Sequence, residues 1–165
     1  MNLPAGTYSF SMSYAGATIQ VSQNVGTNPL VSFQTTKATV LLKNSTGNPL
    51  DTGTVQYYAT TWQTFGSGST SGGQVTMELL PISYPFAMTY AGGRVQLTQN
   101  VSTAATVVFE TGAMHSLTCV SYYAGSWLPF IDMTQMLPGT YTFRFGDGFP
   151  NTSYTIQAGT VNTIH

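Results

Sequence analysis

Two stretches of the chain repeat each other and decide its fold. Leu3–Thr35 reads LPAGTYSFSMSYAGATIQVSQNVGTNPLVSFQT, and Leu80–Thr111 reads LPISYPFAMTYAGGRVQLTQNVSTAATVVFET. One residue is deleted near the start of the second stretch. After this deletion the register holds, so that Tyr8 matches Tyr84 and Phe33 matches Phe109. A self-match of this length indicates a tandem repeat.

A third copy follows. LPGTYTFRF begins at Leu137, and VSYYAGSWLPF from Val120 matches VQYYATTWQTF from Val55. The sequence therefore predicts three units: residues 1–36 as the C-terminal half of a β-sandwich repeat, 37–112 as a complete repeat, and 113–165 as a shortened terminal repeat. We expect residues 1–36 to supply three strands and the third unit to lack most of its first strand.

The period within each copy is two. Large apolar side chains from Tyr8 to Tyr14 alternate with serines, which is the pattern of a half-buried strand. Glycine, Asn and Pro separate the short alternating segments at intervals typical of β-sandwiches, and no segment of useful length has a helical period. The fold class predicted is all-β, with tandem immunoglobulin-like or prealbumin-like sandwiches. The core predicted for the middle unit is Val40, Leu42, Val55, Val75, Leu79, Phe86, Met88, Val107 and Phe109.

The composition limits the classes of partner. Only 5% of the residues are charged and the formal net charge is −1, which is too little positive charge to bind a phosphate backbone. We therefore expect no nucleic-acid partner. No stretch approaches 18 uninterrupted apolar residues, so we expect no membrane span. A nearly uncharged surface has little mutual repulsion, which favours self-association into a homo-oligomer or filament.

The middle unit resembles a known class of domain. Its aliphatic strand, followed by STGNPLDTGTVQYY, a Gly-rich hairpin, VTMELLP and a Tyr-x-Phe strand, is similar to carboxypeptidase regulatory-like and collagen-adhesin B-type repeats. The resemblance implies a prealbumin-like, seven-stranded sandwich. It also implies a role in bacterial surface proteins, adhesins or pilus shafts, and hence an extracellular or cell-surface location.

In adhesin-type members of that class, a strand lysine forms an isopeptide bond with a late asparagine, assisted by a buried acid. The resemblance places Lys43 at the lysine position. The acid expected after the Tyr-x-Phe strand is missing, because that stretch reads Met88-Thr89-Tyr90, and Glu78 lies on the preceding strand instead. The sequence thus departs from the isopeptide pattern.

Catalysis requires titratable groups that converge, and this chain has few of them. The acids Asp51, Glu78, Glu110, Asp132 and Asp147 are scattered singly, and His115 and His165 are far apart in sequence. His115 and Cys119 are close in sequence, but four residues along one strand separate side chains by about 13 Å. We find no pattern of metal ligands and no glycine loop for a phosphate, so we predict no enzyme activity, no cofactor and no metal.

Aromatic residues are the only candidate binding residues that cluster in this sequence, and their arrangement allows two interpretations. Tyr57, Tyr58 and Trp62 recur as Tyr122, Tyr123 and Trp127, and neighbouring tyrosines on a strand must point to opposite faces. One of each pair therefore belongs to the core. The other, with its tryptophan, either packs at the rim of the sandwich or stacks on a sugar. Tyr58, Trp62, Tyr123 and Trp127 are the candidate sugar-stacking residues, with a polysaccharide as partner.

The preferred functional hypothesis concerns residues 1–36. Half a sandwich exposes unpaired backbone groups and an apolar face, here predicted to consist of Tyr8, Phe10, Met12 and Tyr14. Either the chain is cut from a longer repeat array, or a strand from another subunit pairs these groups and covers the face, and we favour the second explanation. We therefore expect a structural module of an extracellular filament, pilus-like fibre or adhesin stalk that assembles by β-strand complementation. The alternative is a carbohydrate-binding accessory module.

Overall fold

The computed structural model describes residues 3–146 and 149–164, and over these ranges the chain is all-β, without a helix. The strands are β1 (Thr7–Tyr14), β2 (Ala17–Asn24), β3 (Thr36–Lys43), β4 (Thr54–Ala59), β5 (Thr61–Ser69), β6 (Gln74–Leu79), β7 (Ser83–Tyr90), β8 (Gly93–Asn100), β9 (Thr106–Glu110), β10 (Gly112–His115), β11 (Cys119–Tyr123), β12 (Trp127–Pro129), β13 (Thr134–Met136), β14 (Gly139–Phe145), β15 (Thr152–Ile156) and β16 (Val161–Thr163). The predicted fold class, all-β sandwich, is confirmed.

Strands β1 and β2 form a two-stranded sheet of their own, which we call the N-terminal hairpin. All eight residues of each strand are paired, from Thr7 opposite Asn24 to Tyr14 opposite Ala17. The two central residues of the turn, Ala15 and Gly16, have φ values of 49° and 73°. Positive φ at both positions defines a type I′ turn, which matches the twist of the strands that it joins.

Strands β3 to β9 form the first sandwich. One layer is a four-stranded antiparallel sheet in the order β5-β4-β7-β8, and the other is a three-stranded sheet in the order β6-β3-β9. In the second layer β3 pairs antiparallel with β6 and parallel with β9. The apolar faces of the two layers meet in one core.

Strands β10 to β16 form the second sandwich, which has the same strand order as the first. Its layers are β12-β11-β14-β15 and β13-β10-β16, and β10 again has one antiparallel and one parallel neighbour. A single residue, Thr111, connects β9 to β10. The two sandwiches are therefore joined without a linker.

Burial follows the predicted alternation. Every residue of the predicted core is at most 5% exposed, so that core assignment is confirmed. Edge-to-face aromatic pairs fill its centre, with Phe65 against both Tyr57 and Phe86 at centroid distances of 6.0 and 5.6 Å. Such pairs add about 0.5–1.5 kcal/mol each to the stabilisation from burial.

The structure differs from two expectations about strands. Residues 28–35, the expected third strand of the first unit, form no strand, whereas their counterpart β9 is held by parallel pairing with β3. Among the described residues nothing pairs with residues 28–35 in that way. The third unit, which is predicted to lack most of its first strand, keeps half of it: β10 has four residues against eight in β3, pairs on both sides, and has three consecutive buried residues, Gly112, Ala113 and Met114, that gave no alternating pattern to detect.

A tyrosine recurs at the start of β1, β7 and β14, four residues after a proline or leucine carbonyl. Tyr8 donates to the Pro4 carbonyl at 3.2 Å, and Tyr141 donates to the Leu137 carbonyl at 2.9 Å. Tyr84 is the counterpart in the first sandwich. Its hydroxyl is buried without a hydrogen bond of normal geometry within the described residues, and burial raises its pKa, an effect that the Leu80 backbone offsets only in part. The same fold position is thus satisfied in one sandwich and unsatisfied in the other.

We expect Phe86→Ala to lower the free energy of unfolding by about 3–5 kcal/mol, because Phe86 is fully buried and its removal leaves a cavity. Val108→Ala is the control, since Val108 is 44% exposed on the outer face of β9, and we expect it to change stability by less than about 0.5 kcal/mol. Chemical denaturation measures both. Equal effects of the two substitutions would contradict the core assignment.

Tyr84 and Tyr141, which occupy the same position in the two sandwiches, give a matched pair of substitutions. Tyr141→Phe removes a satisfied buried hydrogen bond and should destabilise the chain by roughly 1 kcal/mol. Tyr84→Phe removes a buried hydroxyl without a partner and should be neutral or stabilising. Denaturation of the two variants side by side tests the difference, and a loss of stability in Tyr84→Phe as large as in Tyr141→Phe would show that the Tyr84 hydroxyl is in fact bonded.

Candidate functional site

The predicted assembly face lies on one side of the N-terminal hairpin. It comprises Tyr8, Phe10, Met12 and Tyr14, of which Tyr14 is 40% exposed and the others are half-buried. In register, Phe10 lies opposite Val21 and Met12 opposite Ile19, so the apolar face continues across β2. The counterparts in the first sandwich, Tyr84, Phe86 and Met88, are at most 1% exposed, because a second sheet layer covers them.

The turn of each hairpin docks on the following sandwich through the same hydrogen bond. The Tyr57 hydroxyl donates to the Ala15 carbonyl at 3.1 Å, and the Tyr122 hydroxyl donates to the Ala91 carbonyl at 3.2 Å. Ala91, like Ala15, precedes a glycine in a type I′ turn, with a φ of 48°. The chain therefore contains two equivalent joints: the first lies between the N-terminal hairpin and the first sandwich, and the second between the two sandwiches.

Close backbone approach explains the glycines at these joints. A methyl group at Gly92 would lie 2.7 Å from the Ala124 side chain, and one at Gly93 would lie 2.1 Å from the Tyr141 hydroxyl. Position 17, the counterpart of Gly93, carries that methyl group as Ala17. At the first joint the tyrosine that corresponds to Tyr141 is Tyr84, whose hydroxyl has no hydrogen bond of normal geometry within the described residues.

Each four-stranded sheet carries an aromatic pair on its outer face. Tyr58 lies opposite Trp62 with the rings 5.5 Å apart and edge to face, and Tyr123 lies opposite Trp127 at 5.6 Å in the same arrangement. Tyr58 is 42% exposed and Tyr123 is 46% exposed, whereas the preceding tyrosines are buried. All four predicted sugar-stacking residues are therefore brought together in pairs on the surface.

An arginine covers each tryptophan. The guanidinium carbon of Arg94 lies 4.6 Å from the Trp62 ring centroid, and that of Arg144 lies 4.1 Å from the Trp127 centroid. The two arginines come from different places in the sheet, β8 in the first sandwich and β14 in the second. Arg144 pairs with Ser121, and the equivalent pair in the first sandwich is Ala87 with Gln56. Duplication alone would have kept the arginine on the same strand.

The exposed tyrosines also line a groove at each joint. At the first joint, Tyr58 and Thr60 face the turn residues Gly16 and Thr18 across a shallow groove. At the second, Tyr123 and Gly125 face Gly92 and Arg94 in the same way. The four positions named in one groove correspond one to one with the four named in the other. Sequence reasoning found the tyrosines but missed the grooves and the arginines, since only the sheet order brings these segments together.

The acids and histidines are placed as follows. His115 and Asp132 form an ion pair, with Nδ1 and Oδ1 2.7 Å apart, although 17 residues separate them in sequence. Desolvation raises the pKa of Asp132, but hydrogen bonds from the Ser116 amide and His115 outweigh it, so the pKa is lowered. Asp147 and His165 lie outside the described residues.

The thiol nearest to this pair in sequence is not activated. Burial raises the pKa of Cys119, outweighing hydrogen bonds to backbone that lower it, and its Sγ donates to the Ser121 carbonyl at 3.4 Å. His115 ends β10 and Cys119 begins β11, which belong to different sheets. The His115–Asp132 pair therefore links the end of β10 to the loop between β12 and β13. Over the described ranges no group of three or more His, Cys, Asp or Glu side chains forms a metal site.

The structure separates Lys43 from Glu78, the acid considered for an isopeptide bond. Glu78 lies opposite Lys37, at the other end of β3, and the residue paired with Lys43 is Glu110 on the parallel neighbour β9. Residues Met88 to Tyr90 supply no carboxylate. The structure therefore gives no support to this feature of the adhesin-type repeats.

Three comparisons with known proteins give little information. No family model matches the sequence, and no curated protein matches it. Among solved structures, "The Bacillus anthracis TIE protein" is similar at a TM-score of 0.37 and 10% identity; the match covers 97% of this chain and 40% of that one. The chain thus spans less than half the length of that protein. Within the described residues no helix is long and apolar enough to cross a membrane.

Buried tyrosines make the fold sensitive to alkaline pH. Burial raises the pKa of Tyr57, Tyr84, Tyr90 and Tyr122, and raises that of Tyr141 to about 12. These phenols hold their protons more tightly in the folded chain, so the unfolded chain binds fewer protons above about pH 10. We expect the free energy of unfolding to fall between about pH 10 and pH 12, measured by denaturation with tyrosinate absorbance recorded in parallel. Constant stability across this range would contradict the assignment.

Proposed function

We propose that this chain is a structural module of an extracellular filament, pilus-like fibre or adhesin stalk, whose subunits assemble by β-strand complementation. The observation that carries the proposal is the contrast between equivalent hairpins. Hairpins β7–β8 and β14–β15 each belong to a four-stranded sheet covered by a second layer, whereas the N-terminal hairpin is a sheet of two strands. Among the described residues no second layer covers its apolar face and no strand pairs with the outer edge of β1.

The first sandwich indicates how such a partner would bind. There β4 pairs antiparallel with β7, the counterpart of β1, through Tyr57 opposite Phe86 and Val55 opposite Met88. A strand of a neighbouring subunit in the β4 place would pair with the edge of β1 and set its apolar side chains beside Phe10 and Met12. Main-chain hydrogen bonds would supply affinity, and the apolar side chains would set the register.

A heterologous contact of this kind propagates. The N-terminal hairpin of one copy would engage a different surface of the next copy, so the contact does not close on itself and produces an open chain. The joints described above support the same role, because the repeated hydrogen bonds of Tyr57 and Tyr122 fix the orientation of consecutive units in the chain. A charge content of 5% leaves little repulsion between subunits. The resemblance of the middle unit to surface-protein repeats supports an extracellular setting.

A pair of neighbouring substitutions tests this proposal. Met12→Asp places a carboxylate on the assembly face, and Ser11→Asp places the same group on the opposite, exposed face of β1. Because burying an unpaired carboxylate is strongly unfavourable, we expect Met12→Asp to weaken association tenfold or more, roughly, and Ser11→Asp to leave it nearly unchanged. Light scattering after size exclusion measures mass, and electron microscopy shows whether filaments form.

Two outcomes would overturn the proposal: a wild-type protein that stays monomeric at high concentration, or a Met12→Asp variant that assembles as well as the wild type. Near-ultraviolet circular dichroism, which reports on the buried aromatic residues of the sandwiches, verifies that the variant is folded. Loss of assembly in both variants would indicate a general charge effect and would also contradict a role for this particular face.

A further inference from the structure

We infer that the two joint grooves are repeated binding sites for a linear polysaccharide of equatorially substituted pyranoses, with Tyr58 and Tyr123 as the stacking platforms. This function goes beyond the structural role and does not depend on it. The inference starts from position: the grooves lie at equivalent joints and are lined by equivalent residues, so whatever one of them binds, the other is built to bind as well.

The tyrosine ring that lines each groove is held in place by neighbouring side chains. Trp62 meets Tyr58 edge to face at 5.5 Å, and Arg94 covers the Trp62 ring. The second sandwich repeats the arrangement with Trp127 and Arg144, the latter supplied by a different strand. Each tyrosine thus keeps an exposed fraction above 40% while its orientation is fixed by packing. An exposed aromatic ring that is already ordered loses little conformational entropy when a ligand stacks on it.

The chemistry of the lining selects the ligand class. Around Tyr58 the groove is lined by the hydroxyl-bearing residues Thr18, Thr60 and Ser83, and no carboxylate residue is among the residues that line either groove. Aromatic surface beside neutral hydroxyls complements a sugar ring, whose C–H face is apolar and whose edge carries hydroxyl groups. Pyranoses with equatorial substituents, as in β-1,4-linked glucans and chitin, offer such a flat face on every residue. Arg94 also lines the second groove, while its guanidinium packs on Trp62 and approaches Gln56 Oε1 at 3.5 Å.

Two sites on one chain favour a polymer over a single sugar. A short oligosaccharide fills one groove, whereas a polymer that reaches both gains from the high effective concentration at the second site. Gains of about 10²–10⁴ over the single-site affinity are typical of such linked binding. We therefore expect weak binding of short oligosaccharides and much tighter binding of polymers.

The test uses the full chain with named probes: cellohexaose and N-acetylchitohexaose for single grooves, and cellulose and chitin for the polymers. Tyr58→Ala and Tyr123→Ala should each halve the number of hexasaccharide sites in calorimetry and weaken polymer retention by about tenfold or more, and the double variant should lose both activities. Tyr58→Phe keeps the ring and should retain binding. Phe149→Ala is the matched control, because Phe149 is an aromatic residue 69% exposed and far from either groove-lining tyrosine in sequence.

Thermal unfolding of each variant verifies the fold, since the exposed tyrosines contribute little to the core. Binding lost in the Tyr→Ala variants and kept in Tyr58→Phe and Phe149→Ala supports the inference. No binding of any probe by the wild type at millimolar concentration, or full binding by the double variant, would overturn it. Tyr58 and Tyr123 are not part of the assembly face, so the binding result does not depend on whether filaments form.

Discussion

Each hairpin in this chain has one apolar face that must be covered, and most of the architecture follows from how that is achieved. On β7 the side chains of Tyr84, Phe86 and Met88 are removed from water by the sheet β6-β3-β9. Burying three large side chains contributes several kcal/mol, enough to fix the register of both layers. The second sandwich solves the same problem with fewer residues per strand. The N-terminal hairpin has the same pattern, but no second layer covers it among the described residues, and the proposed assembly is based on that difference.

The joints add a second constraint, which is local and polar. A tyrosine at the end of β4 or β11 donates to the carbonyl of an alanine held at positive φ in the preceding turn. An alanine in that conformation is strained by roughly 1 kcal/mol or more, so the turn needs compensation from its surroundings. The hydrogen bond and the packing of the turn against the next sandwich supply it. This places the grooves at fixed positions and lets a surface feature recur with the repeat.

The structural and the binding proposals use different parts of the molecule. Assembly requires the face and edge of β1, whereas the grooves require the turns and the outer faces of the four-stranded sheets. A surface fibre that also holds a polysaccharide needs no further elements, because a jointed array presents the same groove at every joint. The scarcity of charge suits both roles, since neither a strand edge nor a neutral glycan is recognised through ion pairs.

Much of this was determined by the sequence alone. Alternation in Leu3–Thr35 and Leu80–Thr111 predicted strands, and the whole predicted core proved buried, because a period of two assigns side chains to faces whatever the partner is. The same rule assigned Tyr57 and Tyr58 to opposite faces of their strand. The tertiary structure alone decided what depends on pairing between distant segments. Residues 28–35 alternate like β9 yet form no strand, because no neighbour equivalent to β3 pairs with them in the described chain. The His115–Asp132 pair, the arginines over the tryptophans and the grooves likewise arise from loops and strands brought together by sheet order. No local pattern encodes these contacts, because the free energy that forms them comes from burial of the whole core.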